Sequence, residues 1–379
     1  MKAEFLNKSI RICNLLGNSV NEQPEREYVA DEFSVRFAEY HKLTALFASA
    51  LDYYGLDGGE YAKIRALADR EIVKQLKRDV LQDKICKSFS EKGIAHAVLK
   101  GTQTRRFYPD YLTRTSNDID IYVGDEDIVA ASALLKALGS ESVEVQNSDF
   151  VFGYQCGYVE LHTAMGGFTN RQKRYFDRLV SGFGVDSDHS LVMRDEDRYI
   201  HAVFHLYTHF IIAGAGVRMF LDVYCIDKNA ELDRKYIESA LEKLSIKRFE
   251  DMVSKINGVL FEGKEATSEI LEILGYVFAN GAYGSDEAAK HLKYSASEAI
   301  EQKNSKNITY DLCLDLDSMK KRYDVLNSAV DLYPFCVVHR VIKGVVFRKR
   351  IFKKAVNSAK DILVKRDYYS RILKISGIL

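Results

Sequence analysis

Asn117-Asp118-Ile119-Asp120-Ile121-Tyr122-Val123 is the stretch on which the fold reading turns. A β-strand sends successive side chains to opposite faces. Asp118, Asp120 and Tyr122 then share one face, while Ile119, Ile121 and Val123 share the other and point into a core. Two carboxylates side by side on one face repel each other, so positive charge is expected opposite them, a divalent metal being the strongest candidate.

The pattern extends in both directions from this strand. Upstream, Ile94 to Leu99 reads as a short buried strand, followed directly by Lys100-Gly101-Thr102 and a polar segment containing Tyr108-Pro109-Asp110. Downstream, Asp125 to Leu138 reads as a helix, with acids at its start where they suit the helix dipole and Gly139 at its end. Ser142 to Val145 and Phe150 to His162 read as further strands, with Gly153 and Gly157 at turn or bulge positions. Up to about Lys92 the spacing is helical, as in Phe33, Phe37, Tyr40, Leu43 and Phe47, and again in Ile64, Leu67, Ile72, Leu76 and Ile85. From Arg194 onward helices are expected over 198–212, 216–228, 234–244, 248–259 and 267–280. The expected class is a helix-rich α+β protein. A small mixed β-sheet core (93–190) is flanked by an N-terminal helical region (1–92) and a C-terminal helical domain (191–379) ending in a basic helix.

Composition narrows the function classes. With Lys+Arg and Asp+Glu both at 54 the net charge is zero, which does not favour nucleic-acid binding. Six cysteines without CxxC spacing argue against a zinc cluster and read as reduced thiols of a cytoplasmic protein. The N-terminus lacks a signal-peptide core. The most apolar stretch, Ala202 to Leu221, is interrupted by His205, His209, Arg218 and Gly214-Ala215-Gly216, so no transmembrane segment is expected. From Arg340 to Arg366 ten Lys/Arg face one acid, Asp361. A packed helix with a solvated basic face is the plainer reading, and weak contact with a membrane surface or a polyanionic acceptor the sharper one.

Four features bear on chemistry. Gly101-Thr102 follows a strand, where glycine lets backbone N–H groups approach a phosphate and threonine adds a hydroxyl. Asp118 and Asp120 form the acidic pair. Tyr158-Val159-Glu160-Leu161-His162 alternates again, placing Glu160 and His162 on one face, so that Glu160 from a neighbouring strand would complete a two-metal site. Lys100, Arg105, Arg106 and Arg114 supply positive charge for triphosphate oxygens or, as the plainer reading, exposed salt bridges.

The order strand, Gly-Thr, linker, Asp-x-Asp strand, helix, Glu strand resembles the DNA-polymerase-β-like nucleotidyltransferase superfamily. Thr102 stands where that superfamily usually has serine, and fifteen residues separate it from Asp118. Val98-Leu99-Lys100-Gly101-Thr102, Phe107-Tyr108-Pro109-Asp110, Arg114, Asp118-Ile119-Asp120, Val159-Glu160-Leu161-His162 and Arg218-Met219-Phe220-Leu221-Asp222 resemble more closely a bacterial family of uncharacterised nucleotidyltransferases, as do Met319-Lys320-Lys321-Arg322-Tyr323 and His339-Arg340. The resemblance implies transfer of an NMP from an NTP to a hydroxyl of an acceptor, with an association with polysaccharide biosynthesis. It implies two Mg²⁺ or Mn²⁺ ions held by Asp118, Asp120 and Glu160, the donor phosphates against Lys100, Gly101, Thr102 and Arg114, and His162, Arg218 and Asp222 as supporting or acceptor-contacting residues. An Arg218–Asp222 pair, one helical turn apart, is the expected partner arrangement. A catalytically inactive nucleotide-binding protein of the same fold and a metal-dependent phosphohydrolase remain open beside this reading.

Overall fold

The computed structural model describes residues 2–24, 27–146, 149–295, 316–320, 323–327, 330–339 and 365–379. Most of the 340–366 basic stretch, with Lys321, Arg322 and Arg340, lies outside the described residues. By packing, the chain divides into one unit formed by 1–210 and 215–284 and another formed by 211–214 and 285–379.

The first unit carries the sheet. Strands β1 (His96–Val98), β2 (Asp118–Val123), β3 (Ser142–Gln146), β4 (Asp149–Tyr154) and β5 (Gly157–His162) lie in the order β1-β2-β5-β4-β3. β2 and β5 run parallel and every other pair is antiparallel, so the sheet is mixed. A parallel neighbour requires a crossover, and helix α6 (Ile128–Ala137) followed by the β3–β4 hairpin provides it. The fold is thus the expected helix-rich α+β class with a small mixed sheet.

The alternation read in β2 holds. Ile119, Ile121 and Val123 are buried in a core with Phe152, Val159 and Leu161 of the sheet, Ile85 and Phe89 of the long helix α4 (Tyr61–Glu91), and Ala131 and Leu135 of α6. α4 and α6 therefore cover one face, and the face bearing Asp118, Asp120 and Glu160 is left for the site. Gly153 departs from the expectation of a turn or bulge. It sits mid-strand, opposite both Ser142 and Tyr158, where an added Cβ would lie 2.4 Å from Ser142 Oγ. Gly157 does mark a turn, at φ +147° with an added Cβ 2.5 Å from the Asn117 carbonyl oxygen, so only glycine brings β5 this close to the start of β2.

The remaining helices of this unit include α1 (Lys2–Val20), α2 (Glu32–Tyr40), α3 (Thr44–Tyr54), α7 (Asn170–Ser181), α8 (Asp195–Ile212), α9 (Val217–Asn229), α10 (Arg234–Leu244), α11 (Lys247–Phe261) and α12 (Ser268–Asn280). α8 to α12 follow the expected helical segments within a few residues. α7 was not anticipated, although Thr169 and Gln172 form a reciprocal capping box whose Thr-x-x-Gln spacing is readable. In the other unit, Lys365 pairs with Glu287 at 2.6 Å and the His291 and Tyr369 rings stack with centroids 4.9 Å apart. Among the described residues, no helix is long and apolar enough to cross a membrane.

His41, at the end of α2, is fully buried, and its Nδ1 accepts the Val217 N–H at 3.4 Å. Burial pushes its pKa down to about 3. The unfolded chain therefore binds a proton that the folded one rejects. The stability this group contributes is present above its unfolded pKa of about 6.5 and is lost as pH falls toward 3. Between about pH 7 and pH 5 His41 is expected to account for about 2 kcal/mol of the loss. Urea unfolding across this range checks it, His41→Asn flattening the pH dependence by that amount.

Candidate functional site

The parallel register of β2 and β5 builds the centre of the site. Asp118 lies opposite Tyr158, Asp120 opposite Glu160, and Tyr122 opposite His162. Asp120, Glu160 and His162 each present a potential metal-ligand atom within 4.8 Å of the others. Asp118 lines the same cavity but does not belong to that compact group. The reason is strand geometry: Asp118 sits two residues, about 7 Å, from Asp120 and faces a tyrosine rather than an acid.

Asp120 is 3% exposed. Lys100 Nζ donates to its Oδ1 at 3.1 Å, and His162 Nε2 lies 3.0 Å from the same oxygen and 3.7 Å from Glu160 Oε2. Burial alone would raise the Asp120 pKa, but Lys100 and His162 outweigh it and hold the carboxyl well below the usual range. Since an ionised carboxylate only accepts, the proton in the His162 contact sits on Nε2. Glu160 moves the other way, its pKa raised by burial and by the charges of Asp120 and Asp118. Burial would lower the Lys100 pKa, yet Asp120 and Asp118 keep it above the ordinary lysine value.

The phosphate-side residues divide. Gly101 lines the cavity at φ +62°, ψ −114°, a conformation open to glycine. The Thr102 hydroxyl is turned away, accepting from Gln82 Nε2 at 3.0 Å, and Thr104 lines the cavity instead. Arg105 is buried against Asp79, with its guanidinium 4.4 Å from the Tyr111 ring centroid, and Arg106 pairs with Asp195. Both serve structural ion pairs.

Arg114 and Asp222 correct the expected pairing. Asp222 takes a two-point contact from Arg114, Nε to Oδ1 at 2.9 Å and Nη2 to Oδ2 at 2.8 Å, and the Tyr108 hydroxyl donates to Oδ1 at 2.7 Å. Arg218 instead donates from Nη1 to the Thr115 carbonyl at 3.0 Å and stands over the Tyr283 ring. One-turn spacing puts 218 and 222 on the same side of α9, but the planar fork of Arg114 matches the carboxylate better.

The opposite wall belongs to α8. Arg198, His201, Ala202, His205 and His209 line a cavity of about 240 Å³ together with the strand acids. Burial, followed by the charge of Lys100, lowers the pKa of His201 to about 3 and of His209 to about 4, and holds His205 well below the ordinary histidine value. Three neutral imidazoles thus face the acids, the rings of His205 and His209 4.5 Å apart. Arg198 Nε and Nη1, Arg114 Nη1 and Arg218 Nε are buried without a hydrogen-bond partner among the described residues. Burial lowers the Arg198 pKa to about 10, and nearby Arg106 adds to the effect. Sequence reading missed Arg198, His201, Thr104 and Tyr283. For α8 the signal was present in the spacing 198, 201, 202, 205, 209, which traces one helix face.

The cavity thus joins acids on the open face of the sheet to a lysine at the preceding turn and to guanidinium groups of three arginines. The family model for uncharacterised nucleotidyltransferases matches residues 30–261, well over half of the chain, and the protein belongs to that family. No curated protein and no solved structure matches it.

The Arg114–Asp222 pair is buried on both sides, 5% and 14% exposed. Removing one partner leaves a buried charge uncompensated, so Asp222→Asn is expected to cost roughly 3–5 kcal/mol in urea unfolding. The double variant Arg114→Met/Asp222→Leu should recover most of that loss.

Proposed function

We propose that the protein transfers an NMP from an NTP to a hydroxyl of an acceptor, with divalent metal bound by Asp118, Asp120 and Glu160. The observation that carries this reading is the register pair Asp120–Glu160, facing a cavity walled by buried guanidinium N–H groups without partners among the described residues. The donor set suits a divalent cation. It is carboxylate oxygen, with His162 acting as a hydrogen-bond donor to Asp120 rather than as a ligand, as Mg²⁺ or Mn²⁺ accepts. The raised Glu160 pKa, caused by burial and neighbouring acids, is that of a carboxylate lacking enough positive charge. When bound, divalent metal ions neutralise phosphate charge and activate the acceptor hydroxyl.

The chain's own residues supply the rest. Lys100, Arg198 and the free N–H groups of Arg114 and Arg218 bind the triphosphate oxygens, and the Gly101 turn lets the backbone approach them. His162 holds Asp120 and Glu160 in orientation. Glu160, the more basic carboxylate, takes the acceptor proton. The neutral imidazoles of His201, His205 and His209 both donate and accept hydrogen bonds, which suits an uncharged, hydroxyl-rich acceptor such as a saccharide. The α/β segment 93–190 acts as the nucleotidyltransferase core in this reading, with α8 supplying the acceptor wall.

Incubation with each α-³²P-labelled NTP, Mg²⁺ and candidate saccharides tests the reaction. Pyrophosphate release with a labelled acceptor adduct is expected. Free NMP or phosphate without an adduct would instead indicate hydrolysis. Asp120→Asn should lower transfer by about 10³-fold or more while the protein remains folded, and near-wild-type turnover would overturn the assignment. Arg198→Met makes a second expectation with two signs. Removing a partly buried cation without an ion-pair partner among the described residues should leave the thermal midpoint of the free protein equal or higher, while NTP binding weakens about tenfold or more.

A further inference from the structure

A second cavity, of about 870 Å³, lies between α7, the β6–β7 hairpin (β6, Gly184–Val185; β7, Leu191–Val192) and α10. It shares no residue with the catalytic cavity. Its charge is one-sided. Arg171, Arg174 and Arg178 from α7, Arg194 just before α8, and Lys243 from α10 line it, against a single acid, Asp197. That acid is already engaged: Arg194 donates to both of its oxygens, at 3.1 and 3.3 Å, and the Tyr236 hydroxyl donates to Oδ1 at 2.8 Å. Arg171 reaches only the Glu242 backbone carbonyl, and Arg174, Arg178 and Lys243 have no carboxylate partner among the described residues. In a chain of zero net charge, four exposed cations gathered in one concavity, without an ion-pair partner among the described residues, set up a local positive potential that favours an anion there.

The cavity is also partly apolar. Leu179, Phe183 and Val192 line it beside Tyr175, and its volume falls in the range of small-ligand sites. Arg174 and Arg178, one helical turn apart, stand about 6 Å from each other along α7, so their forks can converge on adjacent phosphates. We propose that this groove binds a diphosphate carried on an organic group, the phosphates held by Arg174, Arg178, Arg171 and Lys243 and the organic portion by Phe183, Leu179 and Val192. The same chemistry is offered by a nucleoside diphosphate and by a prenyl diphosphate. α8 joins this groove to the catalytic cavity: Arg194 and Asp197 face the first, and Arg198 and His201 face the second.

Calorimetric titration of the full chain in EDTA with ADP, geranyl diphosphate and inorganic pyrophosphate tests the proposal without any turnover, so its failure leaves the nucleotidyl-transfer reading untouched. At least one organic diphosphate is expected to bind more tightly than pyrophosphate, and the better of the two names the source. Arg174→Glu/Arg178→Glu should weaken it about tenfold or more, with an unchanged thermal midpoint because both residues are exposed. Arg174→Gln/Arg178→Gln should give a smaller loss in the same direction, and Phe183→Ala should erase the preference over pyrophosphate. Arg198→Met should leave this binding within about twofold, since its side chain faces the other cavity. Binding lost in Arg198→Met but kept in the α7 variants would place the anion in the catalytic cavity and overturn the proposal. Absence of binding in the wild type, or pyrophosphate binding as tightly as both organic diphosphates, would also overturn it.

Discussion

Asp120 lies almost fully buried in the middle of the sheet, and an ionised carboxylate there requires positive charge within a few ångströms. Lys100 meets that requirement and His162 adds an N–H donor, each about 3 Å from the same oxygen. Both are placed by the sheet. Lys100 follows β1, which pairs with β2, and His162 ends β5, the parallel neighbour of β2. The apolar side of β2 must in turn be sealed by α4 and α6, because the strand's alternation gives it one dry face and one charged face. The topology and the electrostatics of the site are consequences of one strand.

Neighbouring residues feel the same charge balance. The ammonium that offsets Asp120 also stands near His201, His205 and His209, and together with burial it keeps those rings neutral. Glu160 receives less compensation than Asp120 and is left the more basic of the two. Two carboxylates facing each other across one strand pair are thereby driven apart in proton affinity, which suits one to a fixed charge and the other to the proton-accepting role proposed for it.

How much of this was legible in the sequence follows from the range of the interactions. The faces of β2 and β5 depend on a two-residue period, and the helices of the C-terminal region on a 3.6-residue period; both are local and were readable. The Arg114–Asp222 pair joins residues 108 positions apart, and only a tertiary arrangement sets it against the Arg218–Asp222 pairing suggested by helical spacing. Thr102 illustrates the same limit at shorter range. Its position after Gly101 suggested a phosphate contact, but the direction of its hydroxyl is set by Gln82 on α4, which the local motif does not contain. The compact grouping of His162 with Asp120 and Glu160, in place of Asp118, depends on strand register, which hydrophobic alternation leaves undetermined by even-numbered shifts.

α8 shows why unsatisfied groups are informative. A core helix normally buries its apolar stripe against its neighbours and leaves charge to solvent. α8 instead turns an arginine and three histidines into an interior cavity, and two guanidinium nitrogens of that arginine have no hydrogen-bond partner among the described residues. Folding alone gives no reason to keep such a residue, since an apolar side chain of similar volume would avoid the desolvation of a buried cation. The cost is offset only when an anion enters beside it, so the stability of the empty cavity and its affinity for phosphate are opposed at the same position.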